Sequence, residues 1–93
     1  SRKRNMPSKM DMNPTTEVDV RGETAMEAIM DVDAAIDNAV LMNINQLTII
    51  HGKGTGVLRA EIQKYLRTHK NIKSFRLGNF GEGDAGVTIC EIK

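Results

Sequence analysis

Cysteine, aromatic residues and long apolar runs, which many functional classes require, are scarce or absent in this sequence of 93 residues. It has one cysteine, Cys90, which excludes an internal disulfide and a multi-cysteine zinc site. Aromatic residues make up 3% of the chain and tryptophan is absent, which argues against a base-stacking surface for single-stranded nucleic acid. No apolar run reaches the roughly 18–20 residues of a membrane span, and no secretory segment follows Ser1. We therefore expect a cytoplasmic domain without membrane partners.

Charge is divided along the chain, although the formal net charge is only +1. Residues 1–10 contain four basic side chains and no acidic one, whereas residues 11–50 contain eight acidic side chains and one basic one. Residues 51–76 reverse this ratio, with seven basic side chains and one acidic one. This asymmetry predicts a surface that attracts a polyanion. The alternative is that the opposite blocks neutralise each other in the folded domain.

The chain divides into a short arm and one domain. Residues 1–14 contain both prolines and no hydrophobic period, which predicts a mobile basic linker or arm. Residues 15–93 have the length of one small domain. Because the chain begins with serine, we expect it to be part of a longer protein.

Hydrophobic periodicity within residues 15–93 predicts the order β-α-β-α-β-β. The predicted strands are Glu17–Arg21, Leu47–Ile50, Ile72–Leu77 and Val87–Ile92, and the predicted helices run from Thr24 to about Met42 and from about Val57 to Arg67. Right-handed crossovers would place both helices on one face of the sheet. The expected fold is an α/β two-layer sandwich with a four-stranded mixed sheet, in which the last two strands are antiparallel.

The first predicted helix begins with a capping box formed by Thr24 and Glu27. Its expected apolar stripe consists of Ala25, Ile29, Val32, Ile36 and Val40. Glu27 with Asp31, and Asp33 with Asp37, place like charges four residues apart, which is mildly unfavourable. We interpret these acids as a solvated face.

The segment His51-Gly-Lys-Gly-Thr-Gly56 follows a predicted strand and opens a predicted helix. Gly52, Gly54 and Gly56 allow a tight turn and a close approach of the backbone to a ligand. The helix N-terminus attracts phosphate, Lys53 adds a positive charge and Thr55 is a candidate N-cap. The lysine position does not fit a P-loop, and the third glycine of a dinucleotide-binding motif is replaced by Val57. The alternative is a plain strand-to-helix turn.

His51 begins this segment, and two further side chains, those of Asp19 and Arg21, are predicted to lie near it. His51 ends a strand, where ligands of α/β sheets collect, and its ordinary pKa suits acid or base chemistry. Asp19 and Arg21 end the first predicted strand on the same side. Arg21 could bind phosphate, and Asp19 could orient His51 or hold a metal ion. The alternative for Asp19 and Arg21 is an exposed surface ion pair.

The second predicted helix carries a basic surface. Arg59, Lys64 and Arg67 lie away from its expected apolar stripe. Together with Lys70 and Lys73, which follow the helix, they are candidates for contacts with a phosphate backbone. His69, near the end of that helix, is interpreted as a charge that favours the helix dipole. Cys90, in an apolar strand, is interpreted as a core residue.

The strings Val18-Asp-Val-Arg-Gly22 and Ile49-Ile-His-Gly-Lys-Gly-Thr-Gly56, followed by a terminal hairpin, resemble the small MutS-related (Smr) domain family over about residues 16–93. With arginine at position 21, the chain looks like the C-terminal domain of the second bacterial MutS paralogue, a multidomain ATPase. The resemblance implies a β-α-β-α-β-β sandwich and a nicking endonuclease that acts on DNA or RNA. It also implies a role of the parent protein in recombination control, related to DNA repair, or in splitting collided ribosomes.

By matching motif position, Asp19 and Arg21 correspond to the family's first motif and residues 51–56 to its second. Arg21 stands where the family frequently has histidine, which leaves His51 as the candidate general acid or base. The expected catalytic residues are His51 and Asp19, and the expected phosphate-binding residues are Arg21, Gly52, Lys53, Gly54, Thr55, Gly56, Arg59, Lys64 and Arg67.

The same resemblance sets the expected cofactors and partners. No cofactor is required within the domain, and a divalent metal ion is optional. The expected partners are DNA or RNA, bound with little sequence specificity, the ribosome and the ATPase part of the parent chain. The alternative function is a non-catalytic module that binds DNA or ribosomes for the same parent protein.

Overall fold

Two helices and four strands follow one another along the chain in the computed structural model, which describes residues 17–78, 81 and 84–93. They are β1 (Glu17–Asp19), α1 (Ala25–Leu41), β2 (Gln46–Ile50), α2 (Val57–Arg67), β3 (Ile72–Leu77) and β4 (Val87–Ile92). A short 3-10 turn at Asp84–Gly86 precedes β4. The predicted order is confirmed, and the predicted bounds of β3 and β4 agree with the structure. The expected arm at residues 1–14 lies outside the described residues.

The strands form one mixed sheet in the order β1-β2-β4-β3. β1 and β2 are parallel, whereas β4 is antiparallel to both β2 and β3. The register is irregular between Ile72 and Ser74, where β3 meets the end of β4. Both helices contact the sheet and each other, so they form a single layer over one face. The predicted α/β sandwich with a four-stranded mixed sheet is therefore confirmed.

β1 is two residues shorter than predicted. The Asp19 carboxylate accepts a hydrogen bond from the Arg21 backbone N–H at 3.1 Å, and the Glu23 N–H donates to the Val20 carbonyl at 3.2 Å. Gly22 has φ +82°, which a side chain would disfavour. These local bonds turn the chain away from the sheet directly after Val20.

The predicted capping box starts α1. The Thr24 hydroxyl accepts from the Glu27 N–H at 3.2 Å, and the Glu27 carboxylate accepts from the Thr24 N–H at 3.1 Å. The buried positions of α1 are Ala28, Val32, Ile36 and Ala39. Val40 was predicted to face the core but is 42% exposed, because the buried side of the last turn falls on Ala39.

The core lies between the helix layer and the sheet. Its largest fully buried apolar side chains are Ile36, Leu47, Ile49, Ile62 and Leu66. Cys90 is fully buried among them, as predicted, and burial raises the pKa of its thiol to about 11. This cysteine therefore contributes to packing and stays protonated at neutral pH.

Asp33 joins the two helices, and its interpretation as part of a solvated face was wrong. Its carboxylate accepts hydrogen bonds from the Tyr65 hydroxyl and, at 3.2 Å, from Nε2 of His69. His69 Nδ1 accepts from the Asn71 N–H at 3.0 Å and so carries no proton. His69 is thus a neutral hydrogen-bonding group, and not the free positive charge that its position suggested.

We expect Asp33→Asn to lower the free energy of unfolding by up to about 1 kcal/mol at pH 7, since half-exposed charged hydrogen bonds are screened by solvent. The hydrogen bond from Tyr65, and secondly that from His69, lowers the pKa of Asp33. A lowered folded-state pKa stabilises the fold above the unfolded pKa, and this contribution disappears as pH falls through the folded value. The difference between wild type and variant should therefore persist from pH 7 to 5 and close below about pH 4.

Urea unfolding at pH 7, 5 and 3 measures this difference. Asp37→Asn removes the same charge from α1, but Asp37 makes neither of these hydrogen bonds, so it is the matched control. A difference between wild type and Asp33→Asn that widens towards pH 3 would contradict the assignment.

Candidate functional site

The ends of β1 and β2 meet the beginning of β4 at one edge of the sheet. The Gly86 carbonyl, directly before β4, accepts hydrogen bonds from the backbone N–H groups of His51 at 3.1 Å and Gly52 at 2.8 Å. Arg21 lies beside them, with its Cγ 3.3 Å from the position that a Cβ on Gly52 would occupy. The two predicted motifs, although 30 residues apart in sequence, are therefore in contact.

His51 is only 5% exposed and is hydrogen bonded through both ring nitrogens. The Gln63 amide donates to the Thr88 hydroxyl at 3.2 Å, and that hydroxyl lies 2.8 Å from Nε2 of His51. Nδ1 of His51 lies 2.9 Å from the Gly52 carbonyl, which can only accept. The bonding pattern assigns the proton to Nδ1, so Nε2 accepts from Thr88. His51 links α2 and β4 to the glycine-rich segment.

Asp19 and Arg21 form an ion pair at the surface. Arg21 donates from Nε at 3.0 Å and from Nη2 at 2.7 Å to the two carboxylate oxygens of Asp19, and the side chains are 63% and 46% exposed respectively. The Arg21 guanidinium lowers the pKa of Asp19, and the carboxylate in turn raises the pKa of Arg21. Among the described hydrogen bonds, none joins Asp19 to His51. The two predicted catalytic residues therefore have separate partners.

The glycine-rich segment turns into α2 through Gly56. Gly56 has φ +87° and is the N-cap of α2, so the prediction of Thr55 as N-cap was wrong. The Thr55 hydroxyl makes only a long contact of 3.4 Å with the Val57 N–H. A Cβ on Gly56 would lie 3.0 Å from the Arg59 guanidinium, which folds back over the start of the helix. Arg59 is thus close to this segment, and Lys53 is an exposed member of it.

The predicted basic residues of α2 have different surroundings. Arg67 lies over the Phe75 ring at 5.7 Å, on the β3 side. Lys64, three residues earlier, lines a groove between α1 and α2 with Ile29 and Tyr65. Lys64 is therefore separated from the edge that holds Arg21 and Lys53.

The described residues offer neither a metal-binding cluster nor a membrane-spanning helix. Within residues 17–78, 81 and 84–93, no group of three or more His, Cys, Asp and Glu side chains could hold a metal ion. Neither described helix combines the length and the apolar character needed to cross a membrane.

A comparison with protein-family models matches the Smr domain over residues 18–93. The chain belongs to the Smr domain family. Two curated relatives are both named Endonuclease MutS2. The relative from Acetivibrio thermocellus is 54% identical over 85% of this chain, and that from Caldanaerobacter subterraneus is 57% identical over 81%. This Smr domain corresponds to about 10% of the length of either relative.

Solved Smr structures have the same architecture. The Smr domain of Thermus thermophilus MutS2 superposes with a TM-score of 0.83 at 42% identity, covering 85% of this chain and 99% of that one. YdaL, a stand-alone small MutS-related protein from Escherichia coli, superposes with a TM-score of 0.79 at 17% identity. That match covers 84% of this chain and 64% of YdaL, and it shows the fold alone.

Sequence reasoning did not find Gln63, Thr88 or Gly86. Thr88 is the fully buried polar residue of the apolar strand β4, and that mismatch was the available indication of a buried partner. Gln63 and Gly86 carried no comparable indication, because their contacts with the site depend on how α2 and β4 pack.

Proposed function

We propose that this Smr domain binds the sugar–phosphate backbone of nucleic acids at the edge formed by Arg21 and residues 51–56, and that it nicks the bound strand. The contact between the Arg21 side chain and Gly52 carries the proposal, since it joins the two Smr motifs into one surface. The relatives named Endonuclease MutS2 support a nuclease activity.

Positive charge near residues 51–56 supports phosphate binding. Asp19 occupies Nε and one Nη2 hydrogen of Arg21, so further guanidinium N–H groups can donate to a phosphate. Lys53 is exposed within this segment, and Arg59 lies over the N-terminus of α2, where the helix dipole favours anions. These groups would contact the backbone without reading bases, so the proposal includes little sequence specificity.

Nicking requires a group that accepts a proton from water or, on RNA, from the neighbouring 2′-hydroxyl. Nε2 of His51 carries no proton and can take this role when the Thr88 hydroxyl turns away from it. The Asp19 carboxylate is the exposed alternative, and its lowered pKa keeps it ionised at neutral pH. A divalent ion is an optional addition to the proposal.

The second candidate function is a non-catalytic module that docks a longer ATPase onto DNA or ribosomes. The internal hydrogen bonding of His51 favours it, because both ring nitrogens already have protein partners. DNA in recombination and RNA on the ribosome are both proposed targets, since backbone contacts do not distinguish them.

The test incubates supercoiled plasmid and a labelled structured RNA with wild type and with Arg21→Ala, Lys53→Ala and Asp19→Asn, in chelator and in Mg²⁺. We expect nicking by wild type and about a tenfold loss for each of the two alanine variants. Lys70→Ala removes an exposed base beyond α2 and is the matched control. Binding should also be measured as a function of salt concentration. In the double variant Arg21→Ala/Lys53→Ala, the slope of log K against log salt concentration should be smaller in magnitude by about 2.

If binding is salt-sensitive but neither DNA nor RNA is nicked, with or without Mg²⁺, the proposed nuclease activity is contradicted. The non-catalytic binding module is then supported. Equal binding by wild type and the Arg21→Ala/Lys53→Ala pair would show that this edge is not the nucleic-acid surface. Equal loss in Lys70→Ala would indicate a diffuse charge effect.

A further inference from the structure

A groove runs between α1 and α2 on the side of the helix layer that faces away from the sheet. It has a volume of about 280 Å³ and is lined by Ile29, Glu61, Lys64, Tyr65 and Thr68. Its wall is mostly apolar, through the Ile29 side chain and the Tyr65 ring. Neither Arg21 nor any residue of 51–56 lines it, so it is separate from the proposed nucleic-acid edge.

Two methionines extend this apolar surface. Met26 is 74% exposed and Met30 is 65% exposed. Together with Ile29 they follow the i, i+3, i+4 spacing that places side chains on one side of a helix. Methionine packs adaptably against varied partners, and adjacent exposed apolar side chains beside a groove are typical of an interaction surface.

The rim of the groove is acidic. On the α1 side the acids that share the face of Ile29 are Asp33 and Asp37, four and eight residues further along the helix, and α1 contains no basic residue. Asp33 contacts Tyr65 directly, and Asp37 lies near enough to contribute to the raised pKa of the Tyr65 hydroxyl. Glu61 adds a further acid from α2, so Lys64 is the single base in the lining. This charge repels nucleic acid and attracts a cationic surface.

We propose that the α1/α2 groove binds an amphipathic helix of a protein partner, with apolar residues against Ile29, Met26 and Met30 and with Lys or Arg residues against the acidic rim. A groove between two helices accepts the apolar face of a third helix through anchors at i, i+3, i+4 and i+7. The basic edge and the acidic groove then let the domain hold nucleic acid and a protein at the same time.

The probe is an 18-residue helical peptide with leucine at i, i+3, i+4 and i+7 positions and lysine elsewhere, titrated by fluorescence anisotropy. We expect saturable binding that weakens as salt rises. A peptide with glutamate in place of every lysine should bind at least tenfold more weakly. Met26→Gln/Met30→Gln should weaken the lysine peptide at least tenfold, whereas Leu41→Gln, an equally exposed apolar position at the other end of α1, should not.

Equal binding of both peptides, or unchanged binding by Met26→Gln/Met30→Gln, would overturn the proposal. Self-association of the chain at the groove, seen by sedimentation and abolished by the same double variant without peptide binding, would assign the groove to a second copy and overturn it too. Nucleic-acid binding, measured in parallel, should be unchanged in Met26→Gln/Met30→Gln. The proposed peptide groove can therefore fail its test without any effect on the test of the proposed nucleic-acid surface.

Discussion

His51→Ala is expected to destabilise the domain by about 2–4 kcal/mol, because it leaves buried hydrogen-bonding groups without partners. The Thr88 hydroxyl would lose its acceptor and the Gly52 carbonyl its donor. The imidazole is also almost fully buried, so its removal leaves a cavity at the end of β2. Loss of nicking in this variant is therefore evidence for proton transfer only under conditions where the variant is folded.

Two conservative variants separate the structural role of His51 from a chemical one. In His51→Asn the side chain can still donate to the Gly52 carbonyl, whereas in His51→Gln it can still accept from Thr88. Urea unfolding should give both variants a free energy of unfolding between that of wild type and that of His51→Ala. If they are folded but inactive, proton transfer by His51 is supported. If the free energy of unfolding of His51→Ala lies within about 0.5 kcal/mol of the wild-type value, the buried hydrogen bonds contribute less to stability than their geometry indicates.

Gly52→Ala is expected to cost about 1–2 kcal/mol and to weaken nucleic-acid binding. Gly52 has φ +81°, a conformation that costs an L-residue about that amount. The new Cβ would also lie 3.3 Å from Cγ of Arg21 and so displace that side chain from the edge. Both effects act at the same point, so stability and binding should fall together.

Gly86→Ala is the matched control for this position. A Cβ on Gly86 would lie 3.6 Å from Cγ of Lys53 and 3.7 Å from Cα of Gly52, which are ordinary contacts. The free energy of unfolding should therefore change by no more than about 0.5–1 kcal/mol. Urea unfolding and anisotropy on a short duplex measure the two variants side by side. Equal losses for both would contradict the role assigned to the Gly52 backbone.

Much of the fold could be predicted because its determinants are local. The Thr24–Glu27 capping box fixes the start of α1, and periodicity fixes the bounds of β3 and β4. The position of β4 between β2 and β3 could not be predicted, because strand order depends on pairing across the whole chain. The length of β1 was overestimated because the hydrogen bond from the Arg21 backbone N–H to the Asp19 carboxylate competes with backbone pairing in the sheet.

The candidate site was predicted less completely than the fold. Residues 51–56 and Arg21 could be selected by residue type and position, and they do meet. The buried state of His51 depends on Thr88, which lies 37 residues away in sequence, and on Gln63 from α2. The partner of Asp33 was missed for the same reason, since Tyr65 and His69 reach it across the helix pair.

The strand order has a consequence for aggregation. It makes β1 and β3 the two outermost strands of the sheet. The unpaired backbone groups of an outermost strand can recruit strands from other chains. β1 has only three residues, and its two outward side chains, Glu17 and Asp19, are both acidic and exposed. β3 carries exposed Lys73 and Arg76 and is irregular at its start. Short length, charge and broken register therefore disfavour edge-to-edge polymerisation.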